Sequence, residues 1–154
     1  MPMPNEFKLF NYQQATNEYL NYRPWMSRVL LVASVYNVLW GLFAIGMPSK
    51  VFQWSGLELP NYPELWQCVG MIVGVYGVGY GLAANNPLRH WPIVLVGLLG
   101  KIFGPIGFVW AIINGRFNMA FGFNIVLNDL IWWIPFVLII RAAWTEPPEK
   151  KTRE

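Results

Sequence analysis

Four apolar runs, roughly residues 28–47, 64–84, 90–114 and 119–142, divide this sequence, and each has about 20 residues or more with at most one full charge in its interior. At about 1.5 Å per helical residue, such a run crosses the ~30 Å hydrocarbon core of a bilayer. Only a helix satisfies its own backbone within one segment there, so the fold class is all-α: a polytopic membrane protein with a four-transmembrane-helix bundle. Composition agrees. Charged residues make up 12% of the chain and hydrophobic ones 55%, against about 25% charged in an ordinary soluble domain.

The regions between the runs complete the domain plan. Residues 1–27 contain no continuous apolar core and no small-residue cleavage pattern, so they do not form a cleaved signal peptide. Their aromatics, Phe7, Phe10, Tyr12, Tyr19, Tyr22 and Trp25, alternate with Asn, Gln and Glu, which suits a cytoplasmic segment lying in the headgroup zone. The transmembrane domain covers 28–143. Pro48, Gly56, Pro60 and Pro63 make the first loop, whose Val51, Phe52, Trp54 and Leu57 are apolar enough to rest on the membrane face. Residues 144–154, with Pro147-Pro148 and mixed charges, form a flexible cytoplasmic tail.

Basic residues orient the spans. Lys8, Arg23, Arg28, Arg89, Arg141, Lys150, Lys151 and Arg153 fall on one side of a four-span topology, whereas Lys50 and Arg116 fall on the other. The positive-inside rule therefore predicts that both termini are cytoplasmic. This scatter at span ends argues against a nucleic-acid surface, which would gather the net charge of +3 into a patch. Cys68 is the only cysteine and His90 the only histidine, so an internal disulfide, a CxxC pair and a cysteine- or histidine-rich metal site are all excluded.

Two charges remain inside the spans. Lys101 and Asp129 each lie ~16 to 20 Å from the cytoplasmic side, at nearly the same depth. A charge at a helix centre costs roughly 2.5 to 3.5 kcal/mol to insert, and a lysine this deep does not reach either interface. The expectation is a direct Lys101–Asp129 ion pair. It serves either as a structural register lock or as a working site that anchors a head group or handles a proton. Asn37, Asn124 and Asn128 are the other polar groups at depth, with Asn128 turned about 100° from Asp129 and facing Asn37 on the first span. Pro105 removes the amide that would bond the Lys101 carbonyl, and Pro135 does the same for Ile131. Tyr76, Tyr80 and Trp132 are candidate linings for a flat ligand. Trp25, Trp66, Trp91 and Trp144 read as interfacial anchors.

Glycines set the expected packing. Gly70, Gly74, Gly77 and Gly81 fall on one face of the second span, and Gly97, Gly100, Gly104 and Gly107 repeat the device on the third. Small-residue stripes allow close backbone approach, here expected between spans two and three.

The order Arg28, then Gly41, Gly46 and Pro48, then a loop and a glycine-rich span, resembles the DoxX-like group of small bacterial membrane proteins. Within residues 28–143, the stretches Gly100-Lys101-Ile102-Phe103-Gly104-Pro105 and Asn128-Asp129-Leu130-Ile131-Trp132-Trp133 are similar to those of a narrower bacterial subfamily, whose members are loosely labelled alkyl hydroperoxide reductase or multidrug transporter. DoxX is the small membrane subunit of a thiosulfate:quinone oxidoreductase. The resemblance therefore implies a bacterial inner-membrane location and a non-catalytic subunit beside a quinone-linked redox or other bioenergetic complex, or a homo-oligomer. No cofactor motif is evident; a quinone, lipid or pigment is the ligand class to expect. The alternative is a small membrane enzyme or proton-coupled carrier that acts on a lipid-soluble substrate through Lys101 and Asp129.

Overall fold

A computed structural model describes residues 24–145. Residues 1–23 of the N-terminal segment expected in the headgroup zone, and the tail beyond Thr145, lie outside the described residues. The elements are α1 (Pro24–Gly46), the short α2 (Lys50–Trp54), α3 (Pro63–Ala83), α4 (Trp91–Ile113) and α5 (Met119–Thr145). Of these, α1, α3, α4 and α5 are long and apolar enough to cross a membrane, and the chain is a multi-pass membrane protein. Their outer faces are as apolar as their inner ones: Leu39, Val75, Ile113 and Ile134 are all more than half exposed, a surface suited to lipid.

Helix ends follow from local chemistry. A proline costs nothing in the first turn of a helix, where the first amides have no partner. Pro63 and Pro92 accordingly stand in the first turns of α3 and α4. Gly56 and Gly115, at φ +63° and +66°, end α2 and α4. In both, the next residue's amide reaches back to the last turn (Leu57 to Phe52 O, Arg116 to Ala111 O), the left-handed glycine stop that satisfies terminal carbonyls.

The bundle is built as two antiparallel pairs, α1 with α3 and α4 with α5, set side by side. The α3 stripe glycines pack against α1 and not against α4, which corrects the expected pairing of the two stripes. Gly70 lies against Ala44 and the Gly41 carbonyl, Gly77 against the Ser34 carbonyl and Val38, and Gly81 against Ser34. A glycine stripe encodes closeness but not a partner. Here α1 supplies the matching small residues Ser34, Gly41 and Ala44, so the backbones meet there. On α4, Gly97 makes room for the buried Tyr80 ring and Gly104 for the Asp129 carboxylate, while Gly100 and Gly107 face open space; on α3 the Gly74 backbone lies against Gly41.

The packed core sits toward the end of the bundle that carries the α3–α4 turn. Tyr80 meets Phe136 edge-on at 5.1 Å, with Leu30, Ala33, Val94 and Ile139 buried around them. At the opposite end, α2 lies over the bundle. Phe52 touches Trp66, Trp54 stacks on Phe43, and Asn118 Nδ2 donates to the Ser55 carbonyl at 3.0 Å, tying the two loops together.

A Cβ at residue 77 would meet backbone atoms at 2.9 Å, whereas one at residue 100 meets nothing within 4 Å. Gly77→Ala is therefore expected to lower stability by about 1–3 kcal/mol. Gly100→Ala is expected to leave it unchanged or slightly raised, since alanine is the better helix former. Thermal unfolding in mild detergent compares the two.

Candidate functional site

The polar centre lies where α4 and α5 cross, and its geometry begins with two departures from regular helix. Pro105 has no amide to give the Lys101 carbonyl. Val126–Leu130 of α5 forms a wide π-helical turn, which shifts backbone pairing from the fourth to the fifth residue along the chain. Each irregularity is filled from the neighbouring helix. Trp133 Nε1 donates to the Lys101 carbonyl at 3.0 Å, and Lys101 Nζ donates to the Asn128 carbonyl at 2.5 Å. The acceptor that the proline frees is thus occupied by an indole and not left open beside the ammonium.

This arrangement replaces the expected ion pair. Among the described residues no lysine or arginine nitrogen lies within 4.0 Å of a carboxylate oxygen, and Lys101 and Asp129 meet through the Asn128 residue between them. Asn128 gives its carbonyl to Lys101 and its amide Nδ2 to Asp129 Oδ1 at 3.3 Å. The Lys101 ammonium also lies 5.8 Å from the centre of the Trp132 ring, within cation–π range. Both charges are buried, at 5% and 6% exposure, in a region where a lone charge would be costly. The same turn corrects the expected contact between Asn128 and Asn37. A 100° step holds in an α-helix, but the wide turn brings the side chains of residues 128 and 129 together. The Asn37 Oδ1 atom is buried without a hydrogen-bond partner, and so is Asn128 Oδ1.

Beside Asn128 and Asp129 a cleft of about 320 Å³ opens between the two helix pairs. Asn124, Asn128 and Asp129 of α5 supply its polar lining, and Trp40, Trp66, Phe108, Phe117 and Phe121 supply its aromatic lining. Three causes produce it. The α3 helix is drawn toward α1 by the glycine contacts, α3 and α4 meet through Tyr80 and Gly97 nearer their shared turn, and Gly107 and Ala111 are too small to fill the gap. Trp40 Nε1 donates to Asn124 Oδ1 at 3.3 Å, which orients that amide, and the Trp40 and Trp66 rings meet edge-on at 5.7 Å.

The sequence-derived candidates divide accordingly. Asn124, Asn128, Asp129, Gly104 and Gly107 come together at the cleft. Lys101 braces its polar end from within the α4–α5 contact. Asn37, Tyr76, Tyr80 and Trp132 are not part of the lining; Tyr80 and Trp132 belong to the packed core, with Trp132 5.8 Å from Tyr36. Trp66 is a wall of the cleft, half-buried among Trp40, Phe52 and Phe121, and not a simple interfacial anchor. Phe108, Phe117 and Phe121 were missed altogether. Their crowding near the third loop is visible in the sequence, but aromatic residues at a span end ordinarily mark an interface.

Comparison of the chain with protein-family models, with curated proteins and with solved structures gives no match. Its chemistry is therefore read from the site itself.

If Trp133 acts by satisfying the carbonyl that Pro105 frees, the two positions are energetically coupled. Trp133→Phe is expected to cost about 1–2 kcal/mol in the native background. In a Pro105→Ala background, where residue 105 again bonds the Lys101 carbonyl, it is expected to cost markedly less. A double-mutant cycle of unfolding in detergent measures the difference; additive effects would show that the indole bond contributes nothing.

Proposed function

We propose that this protein is a non-catalytic integral membrane subunit that holds a lipid-soluble ligand, of the flat-ringed quinone class, within a larger bioenergetic complex of a bacterial inner membrane. The observation that carries the reading is the cleft: an apolar, aromatic-walled space at membrane depth that ends on one carboxylate and two amides. Its size, about 320 Å³, lies at the lower end of the range for small-molecule sites, enough for a ring and the start of a chain. Two tryptophans and three phenylalanines favour a flat partner. A few fixed polar groups at one end orient the ligand, the usual division of labour in such sites.

The resemblance of the Lys101 and Asp129 stretches to DoxX-like proteins supports a place beside a quinone-linked enzyme. The apolar outer faces of α1, α3, α4 and α5 leave room for both lipid and a protein neighbour. The distribution of basic residues supports cytoplasmic termini. With that orientation the cleft lies toward the outer half of the membrane, because α2 and the α4–α5 loop sit at its end.

Purification from the native membrane in mild detergent, followed by solvent extraction and mass spectrometry, tests the reading. A stoichiometric lipid-soluble compound and co-eluting protein partners are expected. A Cβ at residue 107 meets nothing within 4 Å, so Gly107→Leu extends a side chain from the cleft wall and is expected to reduce the bound compound at least tenfold while the protein still inserts and unfolds normally. Equal ligand content in the two proteins would remove the cleft as the binding site.

A further inference from the structure

The polar end of the cleft is not symmetrical in its chemistry, and this bears on the head group. Asp129 is a buried carboxylate whose Oδ1 takes one bond, from Asn128 Nδ2, and whose Oδ2 faces Gly104 on α4, the glycine that lines the same cleft. A carboxylate has about four acceptor positions, so most of its capacity is unspent. The Lys101 ammonium, the nearest full positive charge in the bundle, is committed to the Asn128 carbonyl and the face of Trp132. Beside Asp129, Asn124 is fixed with its oxygen toward Trp40, which leaves its NH2 group as a donor at the cleft. Trp66 Nε1, in the wall above, is buried without a partner.

Resting on the reading of the cleft as a ligand site, we propose that it selects a neutral, hydroxyl-bearing head group on a flat apolar body, with the hydroxyl donating to Asp129 and accepting from Asn124. A hydroxyl does both at once. A head group with carbonyl oxygens alone has nothing to give the carboxylate, and the charge-assisted bond to an ionised acceptor is the stronger of the two. An anionic head group is repelled by Asp129. An ammonium would satisfy Asp129, but Lys101 and Asp129 already balance one another inside the bundle, and a further cation would leave a net charge in a low-dielectric interior. The phenolic form of a ring compound meets these conditions, whether it arrives as a reduced quinone or as another phenol from the lipid phase.

Four probes of matched chain length separate the outcomes with the full-length protein in lipid nanodiscs: a 4-alkylphenol, its methyl ether, the corresponding alkylbenzoquinone and an alkylammonium. Binding is read by quenching or enhancement of tryptophan fluorescence and confirmed by calorimetry, with Gly107→Leu as the blocked control. The phenol is expected to bind at least tenfold more tightly than the ether and the quinone, and more tightly than the ammonium. Asp129→Asn is expected to narrow the phenol-to-ether ratio severalfold, and the wild-type ranking stands by itself should that variant not fold. If the ether or the quinone binds as well as the phenol, or the ammonium binds best, the head-group assignment is overturned while the cleft remains a ligand site. If none of the four binds in a manner that Gly107→Leu abolishes, the ligand-site reading falls with it.

Discussion

Two reciprocal hydrogen bonds between α4 and α5 hold the centre of this protein together. Lys101 sends its ammonium to the backbone carbonyl of Asn128, and Trp133 sends its indole N–H to the backbone carbonyl of Lys101. Each acceptor lies at a place where its own helix is irregular, one at a proline and the other at a π-turn. In hydrocarbon no water is present to take up a freed carbonyl, so a partner must come from the protein. The irregularities and the cross-helix bonds therefore depend on one another. Charge placement follows: the lysine is satisfied by a backbone oxygen and an aromatic face, and Asp129 keeps acceptor capacity that a direct ion pair would have consumed.

The rest of the bundle positions that centre. Close backbone contact between α1 and α3, through Gly41, Gly70 and Gly77, makes one rigid pair, and the α4–α5 clamp makes the other. The pairs meet firmly around Tyr80, Gly97 and Phe136 and diverge toward the end covered by α2. Divergence with small residues at Gly107 and Ala111 leaves a space, and the aromatic side chains that border it are too few to close it. A tight core at one end and an open cleft at the other are thus two results of one packing arrangement.

Four helices of membrane-spanning length and the shared level and burial of Lys101 and Asp129 were legible in the sequence, because hydrocarbon thickness and the cost of a buried charge act on each helix separately. The glycine stripe of α3 marked a close backbone approach, whereas that of α4 meets only the side chains of Tyr80 and Asp129. The partner of the α3 stripe was not legible, since small residues on α1 were less regularly spaced than those on α4 and only assembly chose between them. The expected ion pair failed for a related reason. An argument from depth and a 100° step assumes a regular helix, and the π-turn at Val126–Leu130 alters the phase at the residues that matter. Trp66 and the phenylalanines near residue 120 carry no sequence signal that separates a cleft wall from an interfacial belt.

What the sequence determined by itself was the solvent: runs of apolar residues of bilayer length leave a chain no folded state except helices in lipid, with its few deep polar groups turned inward. What only the tertiary structure decided was which of those polar groups meet and which face a cavity. That choice depends on crossing points between helices and on one extra residue in one turn, and neither is a property of any single segment.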